Sequence, residues 1–345
     1  MNRDGVLSDL SSGWAGPTGA PSTANVALAV FARATLRPLG SCLAADATGA
    51  KRLDRLLRGI LALTSTPRPG VAVAAVDTTH AGARVRGEWV TAAGVGRDGP
   101  PILYVHGGAF VACSPRTHRG LVAELSATAR RAVFVVAYRL VPQHPFPAAA
   151  DDVLAAYRWL CDSDGAGIAG PVALAGDSAG GQLAVATTLA AKAHQLPGPD
   201  AVLLMSPVLD LTGELALARD RRHPDPFAAA RAAARMLALY TAGVDNVDPR
   251  LSVLGADLHG FPPTLIQVGD REMLLDDARR LAQRLQESGA AVALQVWPGQ
   301  LHVFPAMFRL LPEARHALAR SGEILRRDLS TPTACPAVFP HAAGA

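Results

Sequence analysis

The residues most able to do chemistry in this chain form the run Gly176-Asp177-Ser178-Ala179-Gly180-Gly181. It follows an apolar segment ending at Ala175 and leads into the helix-forming Gln182-Leu183-Ala184-Val185-Ala186. A serine between two such glycines, on a turn from strand to helix, is held with its hydroxyl projecting from a sheet edge. The small residues at 176 and 180 let strand and helix approach closely. The helix that starts beside the serine turns its positive end toward any negative charge that develops there. That pattern predicts nucleophilic catalysis at Ser178. Read blandly, the same glycines would make only a strand–helix turn, and the flanking elements argue against this.

A second run, His106-Gly107-Gly108-Ala109-Phe110, directly follows the apolar segment Pro101–Val105. In acyl transfer, backbone N–H groups in such a loop hold the oxyanion, together with the N–H of the residue after the nucleophile. Gly108, Ala109 and Ala179 are therefore the expected donors. Gly107 shapes the turn of this oxyanion hole, and His106 is expected to brace the loop by bonding its backbone.

Ser178 needs a base. Among ten histidines, His302 is best placed, in a loop just past the last strand-like segment, Val292–Trp297. His259 precedes the region of the acid, His316 falls in a helical pattern, and His341 lies near the C-terminus. The acid that fixes the imidazole tautomer should lie between Val268 and His302. Asp270, Glu272, Asp276 and Asp277 are the candidates, and the bare sequence favours Asp270 because aspartate is the commoner acid.

These residues need a scaffold. Short apolar runs alternate with alanine-rich helical stretches. Strands are predicted at Val71–Thr79, Ala83–Thr91, Pro101–Val105, Ala132–Tyr138, Val172–Ala175, Ala201–Ser206, Thr264–Val268 and Val292–Trp297. The first two read as an antiparallel pair, and the later, continuously apolar runs as strands buried on both faces. Helices are predicted near 117–130, 147–161, 179–193, 275–288 and 311–328. This alternation predicts an α/β fold with an eight-stranded, mostly parallel sheet flanked by helices. Residues 25–65 read as helical. Residues 212–245 are too long for an ordinary loop and read as an insertion over the sheet: polar first, then helical from Phe227 to Tyr240. Residues 1–24 and 331–345 are expected to lack fixed structure, leaving 66–330 as the catalytic domain.

Composition narrows the function classes. With 50% hydrophobic and 18% charged residues over 345 positions, a disordered or fibrous chain is excluded. The net charge of +4 rests almost wholly on dispersed arginines, since only Lys51 and Lys192 are lysines, so no nucleic-acid surface is expected. Cys42, Cys113, Cys161 and Cys335 show no metal or redox spacing. No apolar run reaches the roughly 18 residues of a spanning helix, and no secretory leader is evident. The expectation is a cytoplasmic protein with no integral-membrane segment, able to form a homodimer.

Together these residues resemble the hormone-sensitive-lipase-like family of α/β-hydrolases, over roughly residues 70–328. The resemblance rests on the H-G-G-x loop, the G-D-S-A-G-G elbow, and Tyr138-Arg139-Leu140-Val141-Pro142-Gln143-His144-Pro145-Phe146-Pro147-Ala148 through Asp151 between them. It implies a serine carboxylesterase acting on short- to medium-chain acyl esters, with no metal or organic cofactor and a helical cap. It also moves the acid to Glu272, because Glu272-Met273-Leu274-Leu275-Asp276-Asp277 looks like the E-x-L-L-D-D variant of the family's acid motif. The chain departs from the pattern at Ala109, where the family usually has a third glycine, and at Ala137 and Gln143, where it has acids. An amidase, arylformamidase or deacetylase would use the same machinery, and amide substrates would separate these. A non-catalytic receptor of this fold would have dispensed with His302.

Overall fold

The computed structural model describes residues 19–326, apart from 163, 169, 243 and 245–247. Eight strands form one sheet: β1 (Ala72–His80), β2 (Ala83–Thr91), β3 (Ile102–Val105), β4 (Val133–Val136), β5 (Ala173–Asp177), β6 (Val202–Met205), β7 (Thr264–Gly269) and β8 (Val292–Trp297). Their spatial order is β1-β2-β4-β3-β5-β6-β7-β8. β2 is antiparallel to both β1 and β4, and every later pairing is parallel. The expected sheet is therefore present, with each strand end within two residues of its predicted place.

The central strands are short and wholly apolar because both faces are covered. Alternate residues feed opposite cores. Leu103, Phe134, Leu174, Leu204 and Ile266 pack with α5 (Ala148–Cys161), α6 (Ala179–Ala193) and α9 (Leu275–Glu287). Tyr104, Val135, Ala175, Leu203 and Leu265 pack with α4 (Pro115–Ala129) and α10 (Pro312–Leu325). α4 begins with a capping box between Ser114 and Thr117 and has Pro115 in its first turn, which fixes its start directly after the loop that follows β3.

The region read as helical over 25–65 is three helices: α1 (Thr23–Ala34), α2 (Leu36–Ser41) and α3 (Ala47–Thr64). α1 starts inside the stretch expected to be structureless, because the Ser22 side chain caps it at Asn25 N. Residues 1–18 and the tail 331–345, with His341 and Cys335, lie outside the described residues.

The segment 212–245 holds two helices where the sequence predicted one. Its polar first part, given no secondary structure in the sequence analysis, forms α7 (Glu214–Arg222), and α8 (Ala230–Thr241) follows. Glu214 in the first turn of α7 and Arg219, Arg221 and Arg222 in the last complement the helix dipole. Among the described residues, no helix is long and apolar enough to cross a membrane.

Candidate active site

β5 ends at Asp177, and Ser178 turns the chain into α6 with φ 51° and ψ −120°. A non-glycine residue at positive φ stores strain of about 1–3 kcal/mol. The surroundings hold it there: Ser178 N donates to Met205 O at 2.9 Å, and Val208 N donates to Ser178 O at 3.0 Å. The turn also needs Gly180, because a Cβ there would collide with the Val105 carbonyl of the neighbouring strand.

His302 comes from the loop after β8. Its Nε2 lies 3.0 Å from Ser178 Oγ and its Nδ1 lies 2.9 Å from Glu272 Oε2. A carboxylate only accepts, so Nδ1 carries a proton and Nε2 is left to accept from the serine hydroxyl. Glu272 is fully buried in the loop after β7. Its other oxygen accepts from Gly269 N at 2.6 Å and from the Ser206 hydroxyl at 2.7 Å. Burial alone would lower the His302 pKa, but the hydrogen bond and charge of Glu272, with the charges of Asp225 and Asp177, outweigh it and raise it above the ordinary value.

The rival acids are engaged elsewhere. Asp270 Oδ1 accepts from Gly299 N at 2.7 Å and so ties the loop after β7 to the loop that carries His302. Asp276 faces Arg219, Arg222 and Arg279. Asp277 accepts from Leu209 N and Asp210 N, both at 2.8 Å, while burial pushes its carboxyl up to about 7. Of the rival histidines, His259 is exposed and paired with Asp257, and His316 is exposed on α10.

The loop after β3 lies beside the serine. Gly107, Gly108 and Ala109 line the same cavity as Ser178 and His302, while Ala179 is the buried first residue of α6. Gly107 N is already used: it donates to Asp177 Oδ1 at 3.0 Å, so this glycine shapes the turn and offers no free donor. A Cβ on Gly107 would collide with the Asp177 carboxylate. That carboxylate also accepts from the Tyr104 hydroxyl at 2.7 Å and faces His118 Nε2 at 3.4 Å. Burial would raise the Asp177 pKa, but His118 and Tyr104 hold it below the usual carboxylate range. His106 Nδ1 bonds Gly107 O at 2.9 Å, the bracing expected of it, and burial next to His118 depresses its pKa to about 3.

Above the serine lies a cavity of ≈190 Å³. Its walls are Leu53, Leu57 and Ile60 of α3, Met236 and Leu237 of α8, and Phe227 between α7 and α8. The Phe227 ring stands 6.1 Å from the His302 ring, centroid to centroid. A hydroxyl, an imidazole and a buried carboxylate in line beneath an apolar cavity can attack and expel groups at an acyl carbon.

Sequence reasoning missed Ser206, Asp225 and Arg219. Ser206 carried one readable signal, as the polar residue ending an otherwise apolar buried strand. Asp225 and Arg219 carried none, because they lie in a polar stretch without apolar periodicity or a motif.

Comparison with known proteins agrees with this architecture. Residues 102–306 match a family model described as the alpha/beta hydrolase fold. An acetyl-hydrolase of Streptomyces hygroscopicus is 41% identical over 239 residues, which is 69% of this chain and 79% of that protein. A carboxylesterase/phospholipase of Mycobacterium tuberculosis is 35% identical over 321 residues, covering 89% of this chain and 82% of its own length. The crystal structure of an esterase from the bacterial hormone-sensitive lipase family superposes with a TM-score of 0.77 at 33% identity, covering 89% of this chain and 99% of that one.

Proposed function

The chain belongs to the α/β-hydrolase family, on its hormone-sensitive-lipase-like branch, and is an ester-hydrolysing enzyme; from that footing we propose that it is a serine carboxylesterase working through an acyl-enzyme, with Ser178, His302 and Glu272 as its triad. The observation that carries the proposal is the double hydrogen bond of His302, 3.0 Å to Ser178 Oγ and 2.9 Å to Glu272 Oε2.

His302 Nε2 takes the proton as Ser178 Oγ attacks the ester carbonyl. Glu272 stabilises the imidazolium that results. The N–H groups of Gly108, Ala109 and Ala179 hold the oxyanion, helped by the N-terminal dipole of α6. His302 then protonates the leaving alcohol. Water, deprotonated by the same imidazole, attacks the acyl carbon and releases the acid and free Ser178.

The substrate is an ester with a short- to medium-chain acyl group. An apolar cavity of ≈190 Å³ is below the roughly 300–1,000 Å³ of drug-sized sites, which favours a small, aliphatic occupant. The names of the relatives, acetyl-hydrolase and carboxylesterase/phospholipase, fit the same bond type. The helices α1–α3, α7 and α8 act as its cap. We place the enzyme in the cytoplasm on the strength of its few, widely separated cysteines.

The test is hydrolysis of p-nitrophenyl butyrate by the wild type and by Ser178→Ala. Loss of roughly a thousandfold or more in the variant supports the proposal. A folded wild type no faster than Ser178→Ala sinks it.

A further inference from the structure

The acid loop between β7 and α9 is held from above by the helical segment that covers it. Arg219, near the end of α7, donates from Nε to Glu272 O at 2.6 Å and from a terminal nitrogen to Asp270 O at 2.7 Å. Asp225, in the turn between α7 and α8, accepts Met273 N on Oδ2 at 2.9 Å. The backbone on both sides of Glu272 is thus satisfied by two side chains that belong to neither the sheet nor the loop itself. Apart from the half-buried Asp270, these residues are buried: Glu272 and Asp225 are 0% exposed, Met273 4% and Arg219 8%. In such a place a backbone group without a partner costs about 1–3 kcal/mol, so the loop has a strong reason to stay where these donors and acceptors are.

The two side chains are themselves anchored. Asp225 Oδ1 accepts from Phe227 N at 2.7 Å and Ala228 N at 3.3 Å, which sets the turn carrying the cavity wall Phe227. Arg37 of α2 pairs with Asp220 at 2.9 and 3.0 Å and donates to the carbonyls of Asp225 and Ala228. A continuous set of hydrogen bonds therefore runs from the N-terminal helices through the 212–245 segment to the backbone of Glu272.

We propose that Arg219 and Asp225 are positioning residues for the reaction: the covering segment does not only enclose the substrate, it clamps the acid loop and thereby fixes the Glu272 carboxylate on His302. The inference rests on the triad reading given above. It separates the covering segment's two tasks, since the cavity walls at Leu57 or Met236 act on the acyl chain, whereas the clamp acts on the imidazole. Asp225 has a second route to the same target, because its charge is one of those that face His302, with Glu272 from the acid loop and Asp177 from β5.

The experiment is a double-mutant cycle on kcat with p-nitrophenyl butyrate, using the full chain and active-site titration to count competent Ser178. Arg219→Met keeps the length and apolar stem of the side chain but removes both donors. It should lower kcat on the order of 10- to 100-fold, the size of effect a misplaced catalytic group produces, with KM changed less than about threefold. In a Glu272→Ala background the same substitution should cost no more than about twofold, because the group it positions is gone. Unchanged kcat in Arg219→Met, or an equal loss in both backgrounds, overturns the clamp. If Arg219→Met does not fold, Asp225→Asn goes through the same cycle with the same two readings. Its amide cannot serve both the Met273 N–H and the Phe227–Ala228 pair. Full activity in Glu272→Ala alone would instead overturn the triad reading, so the two failures are distinguishable.

Discussion

Ser206 and Glu272 share a hydrogen bond of 2.7 Å between side chains 66 residues apart, and it joins three loops at one carboxylate. Ser206 directly follows β6 and takes a positive φ of 48°. Its hydroxyl donates to Glu272 Oε1 and accepts from Val303 N at 3.0 Å, the residue next to His302. One hydroxyl therefore orients the Glu272 carboxylate and ties down the loop that carries His302. Replacing Ser206 with Ala removes a buried hydrogen bond to a charged group and strands the Val303 N–H. We expect a loss of about 1.5–3 kcal/mol in unfolding free energy, with kcat down on the order of tenfold. Chemical denaturation and steady-state kinetics on one preparation check both. A stable variant with full kcat would mean that Gly269 N alone orients the acid.

The choice between acids has a sharp readout. Glu272→Ala should lower kcat by on the order of a thousandfold or more. Asp270→Ala should cost less than about tenfold, because Asp270 bonds the Gly299 backbone rather than the imidazole. The reverse ranking would reassign the acid.

The raised pKa of His302 fixes the sign of two pH effects. The imidazole must be neutral to accept the serine proton, so kcat/KM should fall as pH drops through a pKa above the usual 6.5. The stability contribution of the His302–Glu272 pair runs the other way. It is fully present below the unfolded pKa and is lost as pH rises through the folded one. Glu272→Gln removes the largest favourable partner of the imidazolium and should shift the acidic limb of kcat/KM to lower pH. An unmoved limb would mean that another group titrates there.

Ala109 occupies φ 52°, a conformation that costs a side-chain-bearing residue about 1–2 kcal/mol, and it lines the cavity beside Ser178. Ala109→Gly relieves that cost and removes the methyl group. We expect kcat/KM on tert-butyl esters to rise while that on n-butyl esters holds within about threefold. Equal changes on both would rule out the methyl as a steric gate.

A control for stability without chemistry lies at the other end of the sheet. Arg131 is buried, pairs with Asp200 at 3.1 Å and donates to the carbonyls of Pro100, Pro101, Pro171 and Leu325. Arg131→Met leaves Asp200 without this partner and should lower stability by about 3–5 kcal/mol. The surviving folded fraction should keep wild-type KM for p-nitrophenyl butyrate, and a changed KM would show the two ends to be coupled.

What the sequence determined by itself is whatever depends on near neighbours. The strand–turn–helix at Ser178 is local: a buried apolar run, glycines at 176 and 180, and a helix-forming stretch all lie between positions 172 and 186. The strands were legible because burial on both faces leaves continuous apolar runs between polar breaks, and the helices because their apolar spacing repeats. The polar helix Glu214–Arg222 was not legible, since it has no apolar stripe and draws on ion pairs with distant residues. Position in strand order pointed to His302, yet the acid stayed open among four carboxylates until a resemblance favoured Glu272.

Only the tertiary structure decided which carboxylate meets the imidazole, that Ser206 orients it, and that Arg219 and Asp225 hold its loop. Each of these is a hydrogen bond between residues 30 to 66 positions apart. Hydrogen bonds act over about 3 Å and depend on angle, so sequence spacing carries no record of them. The order of β3 and β4 in the sheet brings the Gly107–Ala109 loop beside the elbow, and the packing of α7 against α9 brings Arg219 to the backbone of Glu272. Both follow from how the whole chain closes over its two cores.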